Sequence, residues 1–507
     1  MIDRNKRIAR NTLILYVRMI FLMLINLYTS RVVLSVLGIE DYGIYNVIGG
    51  FVAMFGFLNS AMAIGTQRYL TFELENGNIE YLRKVFITSV NIHFLIALLI
   101  FVLAETFGIW FLNNKMIIPE PRLTAALWIY QFSVLSAMFM FISVPYHAVI
   151  IAHERMSAFA YISVIEALLK LAIVYLLLVG KSDRLIMYGL MMLCVQILLR
   201  LIYGIYCKRH FEESQYKLYF NGRLFREMLV FSGWNLWGCM SSITTTQGLN
   251  IVLNMFFGPS INAARGIAVQ VQTAVNQFAT NFQTALNPQI IKSYASQDLG
   301  YMSSLVFCSS RFSFYLLLCI CMPILFEAEM LLNFWLKDVP AYSAIFLRLI
   351  LCVSLINVMA NPLMTSVQAT GNVKMYQIVV GSVSMMVLPV AYIGLKLGGN
   401  PIFVFISELT ICVISFVVRL FIVHSIINLS LRKYFSDVIL KCLEVAILSL
   451  FFPLAFRFLL VPSILNSILV CVVCVLSVCM IVFLVGLTAY ERHFILSSLK
   501  LKMKYNG

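Results

Sequence analysis

Long runs of apolar residues, each about as long as a membrane-spanning helix, follow one another along the whole chain. An α-helix rises about 1.5 Å per residue, so about 20 apolar residues cross the hydrocarbon core of a bilayer. The pattern therefore predicts an all-α polytopic membrane protein without a separate soluble domain. We expect about fourteen spanning helices, over residues 11–37, 42–72, 83–112, 122–151, 156–179, 185–206, 226–257, 260–291, 301–325, 341–370, 373–398, 401–427, 436–460 and 463–489.

The composition and charge of the chain support this prediction and add an orientation. Of the 507 residues, 61% are hydrophobic and 12% are charged, and the net charge is +15. Alternate connections carry about twenty basic residues on the side of both termini against about seven on the other, as the positive-inside rule expects. We therefore predict cytoplasmic termini. The basic residues form no patch, which argues against a nucleic-acid partner.

A set of six spans repeats along the sequence. One alignment of the chain on itself places Gly38 on Gly258, and a second, slightly shorter shift places Pro145 on Pro362. Because six is even, both copies enter the membrane in the same direction and form a parallel, pseudo-two-fold repeat. The predicted domains are two six-helix lobes (1–206 and 226–427), a cytoplasmic linker (207–225), and two additional spans with a cytoplasmic tail (428–507).

Polar residues recur at helical spacing on three spans of the second lobe. Such stripes either form hydrogen bonds between helices or face water, and three stripes in one lobe favour a wet cavity. They are Arg265, Gln272, Asn276, Gln283 and Asn287 on the eighth span, Gln247, Asn250 and Asn254 on the seventh, and Asn357, Asn361 and Gln368 on the tenth.

Charges within the predicted spans are mainly positive. Guanidinium and ammonium groups bind phosphate and pyrophosphate through charge-assisted hydrogen bonds, so a cationic cavity favours an anionic substrate. A cation near a helix end has an alternative to facing the cavity, because its long side chain also reaches the water at the membrane surface. The predicted substrate-binding residues are Arg31, Arg68, Lys170, Arg265, Gln272, Asn276, Gln247 and Asn250.

Two carboxylates are candidates for ion coupling. Glu166 stands four residues before Lys170, a spacing at which the two charges neutralise each other within one helix. Alternatively, H⁺ or Na⁺ bound at Glu166 releases Lys170 for the substrate. Glu408 has no partner near it in sequence and is the second candidate. No cofactor is expected.

The sequence gives little support to other chemistry. Cys471 and Cys474 have the spacing of a thiol redox pair, but they lie within an apolar span, where cysteine acts as a small hydrophobic residue. We predict no metal site. The sequence lacks a glycine-rich phosphate loop and a His–Glu metal motif, and its outer connections are short, so we do not expect an enzyme.

Two stretches carry a family resemblance: LGIEDYGIYNVIGG (37–50), followed by AIGTQRYL (63–70). They resemble the Wzx-type flippases, the polysaccharide-transport branch of the multidrug/oligosaccharidyl-lipid/polysaccharide (MOP) exporter superfamily, to which the MATE transporters also belong. NPQI around Pro288 and NPLMTSVQATGNVK (361–374) look like the matching motifs of the second lobe. The residues that carry the first pattern are Gly38, Asp41, Gly43, Tyr45, Gly65 and Arg68.

The glycines of the first stretch also have a physical explanation. Gly38 and Gly43 permit a tight outer hairpin between the first two spans, because glycine adopts backbone angles that other residues avoid. In an alternating-access cycle, this hairpin would belong to the outer gate. The predicted gate and hinge residues are Gly38, Gly43, Pro145, Pro288 and Pro362.

The resemblance implies a function and its partners. It implies a flippase that moves an undecaprenyl-pyrophosphate-linked oligosaccharide, such as an O-antigen, capsule or exopolysaccharide repeat unit, across the bacterial inner membrane by alternating access. Membrane lipids and the polysaccharide polymerase and glycosyltransferase machinery are the implied partners. Two rivals stay open: a MATE-type cation-coupled drug or small-molecule antiporter, which would favour cavity acids, and a lipid II flippase.

Overall fold

A computed structural model describes residues 2–53, 56–110, 112, 120–179, 183–217, 219–257, 259–336, 339–459, 463–488 and 491–492. This part of the chain is helical throughout and contains no strand. Its α-helices are α1 (Ile2–Ala53), α2 (Gly56–Asn76), α3 (Ile79–Leu103), α4 (Leu123–Ala152), α5 (Met156–Val179), α6 (Arg184–His210), α7 (Gly222–Phe257), α8 (Pro259–Ala295), α9 (Leu299–Trp335), α10 (Ser343–Thr370), α11 (Lys374–Met385), α12 (Val387–Lys396), α13 (Pro401–Ile427), α14 (Leu431–Tyr434), α15 (Lys441–Ser449), α16 (Phe451–Leu459) and α17 (Ile464–Ile481).

The helices account for the predicted spans. Among the described residues, 10 helical segments are long and apolar enough to cross a membrane. They correspond to the third to sixth and the ninth to fourteenth predicted spans. The first, second, seventh and eighth predicted spans fall on α1, α2, α7 and α8. The predicted all-α polytopic fold is therefore confirmed, and a count of about fourteen spans agrees with the helices.

The chain packs into two compact units that are discontinuous in sequence. Unit 1 comprises Met1–Met240, Ile291–Gln297 and Gly371–Lys374, whereas unit 2 comprises Ser241–Ile290, Asp298–Thr370 and Met375–Gly507. The predicted lobes follow the chain without interruption, and their boundaries stay a prediction.

Each unit has its own apolar core. In unit 1, Val85 and Phe86 on α3 pack in one fully buried cluster with Ile150 on α4 and Val174 on α5. Burying such side chains contributes about 1.5–3 kcal/mol each in water-soluble proteins, but in lipid the contribution comes from close packing.

In unit 2, the core extends to the helices that follow α13. Phe346 on α10 stacks on Phe405 of α13 with ring centroids 4.1 Å apart. The fully buried Tyr434 donates its hydroxyl hydrogen towards Ser310 Oγ on α9 and the Met359 carbonyl on α10, each 3.1 Å away. The C-terminal helices are thus attached to the core of unit 2.

The two copies of the sequence repeat have the same backbone conformation where α2 and α8 end. Gly77 and Gln297, which the alignment of Gly38 with Gly258 also pairs, both have positive φ angles, of 74° and 60°. The next residue in each case, Asn78 or Asp298, caps the following helix by accepting a hydrogen bond from the N–H three residues on. The two copies therefore use the same turn between consecutive helices.

The segment between α6 and α7 is bonded to neighbouring helix ends. His153 Nε2, just after α4, lies 2.6 Å from Glu213 Oε1. On α3, Arg83 donates to the carbonyl of Glu212 and Asn91 donates to the carbonyl of Tyr219, over 3.2 and 3.0 Å. These contacts hold the predicted linker against α3 and the end of α4.

Candidate substrate and coupling site

In unit 2, the structure groups several predicted site residues around Arg265. Arg265 lies on α8 and is 3% exposed. Its Nη1 donates a hydrogen bond to Asn250 Oδ1 on α7, and Asn250 Nδ2 donates to Gln247 Oε1 over 3.1 Å. The carboxylate of Glu408 on α13 interacts electrostatically with the same guanidinium. A buried cation needs such partners, because an unpaired charge in hydrocarbon is costly.

The middle of the α8 stripe is bonded to α10. Gln272 Nε2 donates to Ser354 Oγ over 2.8 Å, and Asn276 Nδ2 points to the same oxygen at 3.4 Å. These amides therefore face α10, and Ser354 holds both of them.

The C-terminal part of the stripe joins three helices. Gln283 Nε2 donates to Ser313 Oγ on α9 and to the Val358 carbonyl on α10, over 3.1 and 2.9 Å. Asn361 Nδ2 donates back to Gln283 Oε1 over 3.2 Å. The stripe residues therefore form hydrogen bonds between helices, which was one of the two alternatives given by the sequence. A role of these residues in substrate binding stays a prediction.

Unit 1 contains a second polar group, which we call the unit 1 charge cluster. Its members are Arg18 on α1, His147 on α4, Glu166 and Lys170 on α5, and Arg200 and Tyr203 on α6.

The contacts within this cluster centre on Glu166. Lys170 Nζ donates to Glu166 Oε1 over 2.6 Å. Glu166 also interacts electrostatically with Arg18 and His147. Arg200 acts electrostatically on His147 as well. The predicted Glu166–Lys170 pair is therefore formed, within a larger group than the sequence indicated.

Aromatic rings surround the cations of the cluster. The Arg18 guanidinium lies 4.5 Å from the centre of the Phe159 ring, and that of Arg200 lies 3.9 Å from the centre of the Tyr146 ring. The His147 ring is 4.0 Å from that of Tyr203. Cation–π contacts of this kind stabilise guanidinium groups where water is scarce.

The sequence pattern does not predict that His147 and Tyr203 belong to this cluster. They lie on α4 and α6 whereas Glu166 lies on α5, so their spacing from Glu166 along the chain carries no periodic signal. Only the packing of α4, α5 and α6 brings them together.

One other predicted binding residue, Arg68, lies apart from these groups. Arg68, in the C-terminal half of α2, packs against Gly371 and over the rings of Tyr69, Phe72 and Phe231. The side chain of Arg31 and residue Gly43 both belong to α1 but fall outside the described detail.

The predicted outer hairpin lies inside α1. Gly38, with φ 82° and ψ 170°, interrupts the helix. Asp41, just after it, accepts hydrogen bonds from Arg122 at the start of α4, and Arg122 Nη1 also donates to Asp183 Oδ2 over 2.6 Å. Asp183 in turn caps α6. The acidic residue of the motif therefore ties the turn to two neighbouring helices.

The predicted proline hinges lie within continuous helices. Pro145, Pro288 and Pro362 lie inside α4, α8 and α10. Their role as hinges stays a prediction. As for metal chemistry, the described residues contain no group of three or more His, Cys, Asp or Glu side chains placed to hold a metal ion.

Solved structures with a similar fold are transporters. One is described as an outward-facing multidrug resistance MATE family transporter of the MOP superfamily (TM-score 0.73, 12% identity, 84% of this chain and 96% of that chain covered). A second is a MATE protein in the bent conformation (0.73, 13%, 83% and 96%). A third is a MOP superfamily transporter from Pyrococcus furiosus, with a binding pocket described as of reverse polarity (0.70, 13%, 84% and 97%).

At these identities the structural comparisons establish the fold. Among curated proteins, none matches the sequence. A family match covers residues 8–292 and is described as polysaccharide biosynthesis protein. Family and fold together indicate a multi-pass membrane transporter rather than an enzyme. The chain belongs to the polysaccharide biosynthesis protein family and has the fold of the MATE and MOP superfamily transporters.

Proposed function

We propose that the protein is a flippase for an undecaprenyl-pyrophosphate-linked oligosaccharide, the repeat unit of a surface polysaccharide such as an O-antigen or a capsule. The polyprenyl tail stays in the bilayer while the pyrophosphate and sugars cross. Membership of a polysaccharide biosynthesis family supports this class of substrate. The transporter fold supports movement of the substrate rather than its synthesis.

The main structural support for this proposal is the excess of positive charge in the unit 1 charge cluster. Arg18, Lys170 and Arg200 accompany a single cluster carboxylate, Glu166. Charges within the membrane are costly unless they are paired, so a cluster with surplus cations suits an anionic ligand. A pyrophosphate group presents several acceptor oxygens, which guanidinium groups bind through charge-assisted hydrogen bonds.

In unit 2, Arg265 is a further buried cation suited to a phosphate group. Its guanidinium is held by Asn250, which leaves donors for a phosphate oxygen. Glu408 partly compensates its charge in the resting state. The amides of Gln272, Asn276 and Gln247 are hydrogen-bonding groups suited to sugar hydroxyls.

The two rival functions make different demands on the site. A drug antiporter for organic cations would need an excess of acids, whereas cations exceed carboxylates in the unit 1 charge cluster. A lipid II flippase would use the same pyrophosphate chemistry with another glycan. The family description favours polysaccharide repeat units over lipid II.

The proposal includes a location and an orientation. We place the protein in the bacterial inner membrane with both termini in the cytoplasm, because the basic residues are concentrated on that side. Polysaccharide polymerase and glycosyltransferases are the proposed functional partners. Alternating access moves the head group, with Gly38, Gly43, Pro145, Pro288 and Pro362 as the gate and hinge residues.

We further propose that H⁺ or Na⁺ drives transport through Glu166, with Glu408 as the alternative. Neutralising Glu166 would free Lys170, its hydrogen-bonded partner, for the substrate. Glu166→Gln should abolish the stimulation of transport by an imposed ion gradient in proteoliposomes while gradient-free exchange continues. Full stimulation in Glu166→Gln together with its loss in Glu408→Gln would transfer the role to Glu408.

The experiment that tests the function is deletion of the gene in its own host. Mass spectrometry then measures undecaprenyl-pyrophosphate-linked saccharides on each face of the inner membrane. We expect an oligosaccharide to accumulate on the cytoplasmic face and to disappear when the intact gene is restored. Unchanged lipid-linked saccharides together with increased sensitivity to cationic toxins would instead support the drug antiporter.

A further inference from the structure

Two connections of unit 1 carry a left-handed residue at corresponding positions of the repeat. Glu154, between α4 and α5, has φ 57°, and Gly371, between α10 and α11, has φ 82°. The alignment that places Pro145 on Pro362 also places Glu154 on Gly371. The repeat therefore produces the same kink in both connections.

A lysine from the second half of the sequence contacts the first of these connections. Lys292, near the end of α8, lies with its Nζ 2.8 Å from Glu154 Oε1. The Glu154 side chain is 1% exposed and that of Lys292 is 15% exposed, so the ion pair is almost completely buried. Asn11 donates a hydrogen bond to the Glu154 carbonyl and holds the connection from α1.

An arginine from the first half of the sequence contacts the second connection. The guanidinium of Arg68, in the C-terminal half of α2, packs so closely on Gly371 that a Cβ there would lie 2.8 Å from its Nη2. The rings of Tyr69 and Phe72 lie 4.7 and 4.8 Å from the guanidinium carbon and enclose it. Arg68 is 8% exposed.

The two contacts join corresponding helices and connections of the repeat, although their cations occupy different positions: the alignment of Gly38 with Gly258 places Arg68 on Pro288 and Lys292 on Phe72. Each half of the sequence supplies a cation, from α2 or α8, to the kinked connection of the other half. The Phe72 and Tyr294 rings, 6.4 Å apart, link the two helix ends. Segments Ile291–Gln297 and Gly371–Lys374 therefore pack with the first half of the chain in unit 1.

We propose that Arg68, Gly371, Glu154 and Lys292 form a crossed latch that closes the cytoplasmic side of the transporter and opens once in each cycle. This inference rests on the proposed function, because alternating access requires that one side be closed while the other is open. It also gives Arg68 a role in gating, in place of the predicted contact with substrate.

The chemistry of the latch suits reversible opening. The Coulomb attraction of a buried ion pair is largely offset by the loss of hydration of both charges. When the latch opens, water solvates Glu154 and Lys292 again, so separating them costs little free energy. An apolar contact of similar size would gain no such hydration on opening.

A thiol-labelling experiment tests the latch without using the substrate. Ser293, next to Lys292, is 1% exposed, whereas Ser296 on the same segment is exposed. The Ser293→Cys variant is prepared in inverted vesicles and treated with a membrane-impermeant maleimide. Peptide mass spectrometry then measures the rate of labelling at position 293 separately from labelling of the 12 native cysteines. Ser296→Cys is the matched control.

Reversal of the two charges provides the decisive comparison. Glu154→Lys or Lys292→Glu alone places like charges together and should raise labelling at position 293 about tenfold, which corresponds to about 1.4 kcal/mol. The double variant Glu154→Lys/Lys292→Glu should return labelling to the parent rate. Labelling at position 296 should stay constant throughout. Equal labelling in the parent and both single variants, or no recovery in the double variant, would overturn the latch.

A second variant tests the other contact of the latch. Gly371→Ala places a methyl group against the Arg68 guanidinium and strains a left-handed residue, so it should also raise labelling at position 293. Parent-like labelling in this variant would remove Arg68 and Gly371 from the latch. If labelling responds as expected in all variants but no lipid-linked oligosaccharide is transported, the latch stands and the proposed substrate is wrong.

Discussion

Arg265 owes its position to residues on two other helices. Asn250 on α7 accepts its hydrogen bond, and Glu408 on α13 interacts with it electrostatically. Burial makes these partners necessary, since a guanidinium left alone in the membrane would be strongly destabilising. The same arrangement keeps the cation at a defined point, and under the proposed function a pyrophosphate oxygen would replace Glu408 as its counter-charge.

At this scale we predict that Arg265→Ala lowers oligosaccharide transport at least tenfold while the protein still inserts in the membrane. A hydrogen bond to a charged group contributes about 1.5–3 kcal/mol, which corresponds to about tenfold or more. Transport in proteoliposomes and the amount of purified protein are the two measurements. Arg223→Ala is the control, because that side chain is 90% exposed. Loss of folded protein in Arg265→Ala would mark Arg265 as structural.

The turn within α1 depends on the backbone conformation of one residue, Gly38. Gly38 has backbone angles that are almost restricted to glycine, yet a Cβ at this position would meet nothing within 4 Å. The requirement is therefore conformational and does not arise from crowding. Arg122 then fixes the chain after the turn by binding both Asp41 and Asp183.

We predict that Gly38→Ala lowers the free energy of unfolding by about 1–3 kcal/mol, the cost of a residue in a disfavoured backbone region. Gly56→Ala is the matched control, because its Cβ also has open space but the residue lies in the ordinary helix α2. That substitution should be neutral or slightly stabilising. Thermal unfolding in detergent compares the two variants. Equal melting temperatures would contradict a conformational role for Gly38.

Over the whole molecule, the sequence predicts the helices and the repeat better than it predicts the contacts. Apolar runs indicate spans because every backbone polar group in lipid must be paired within a helix. The alignment of Gly38 with Gly258 anticipates the shared turn at Gly77 and Gln297. Local spacing also predicts the Glu166–Lys170 pair, because the two residues lie on one helix.

Contacts between distant segments were not predictable from one sequence. Arg122 binds Asp41 across 81 residues, and Lys292 binds Glu154 across 138 residues. No periodicity relates such positions, since their proximity depends on how whole helices pack. For the same reason the sequence does not predict the contacts of Arg68 with Gly371 and the aromatic rings, and its role in substrate binding stays a prediction.

Under the proposed function, the transporter carries an anionic, lipid-linked head group. The most direct measurement is the rate at which the purified protein, reconstituted in liposomes, moves an undecaprenyl-pyrophosphate-linked oligosaccharide between leaflets, compared with its efflux of an organic cation. We predict rapid movement of the lipid-linked oligosaccharide and no transport of the cation. Transport of the cation without movement of the lipid-linked oligosaccharide would contradict it.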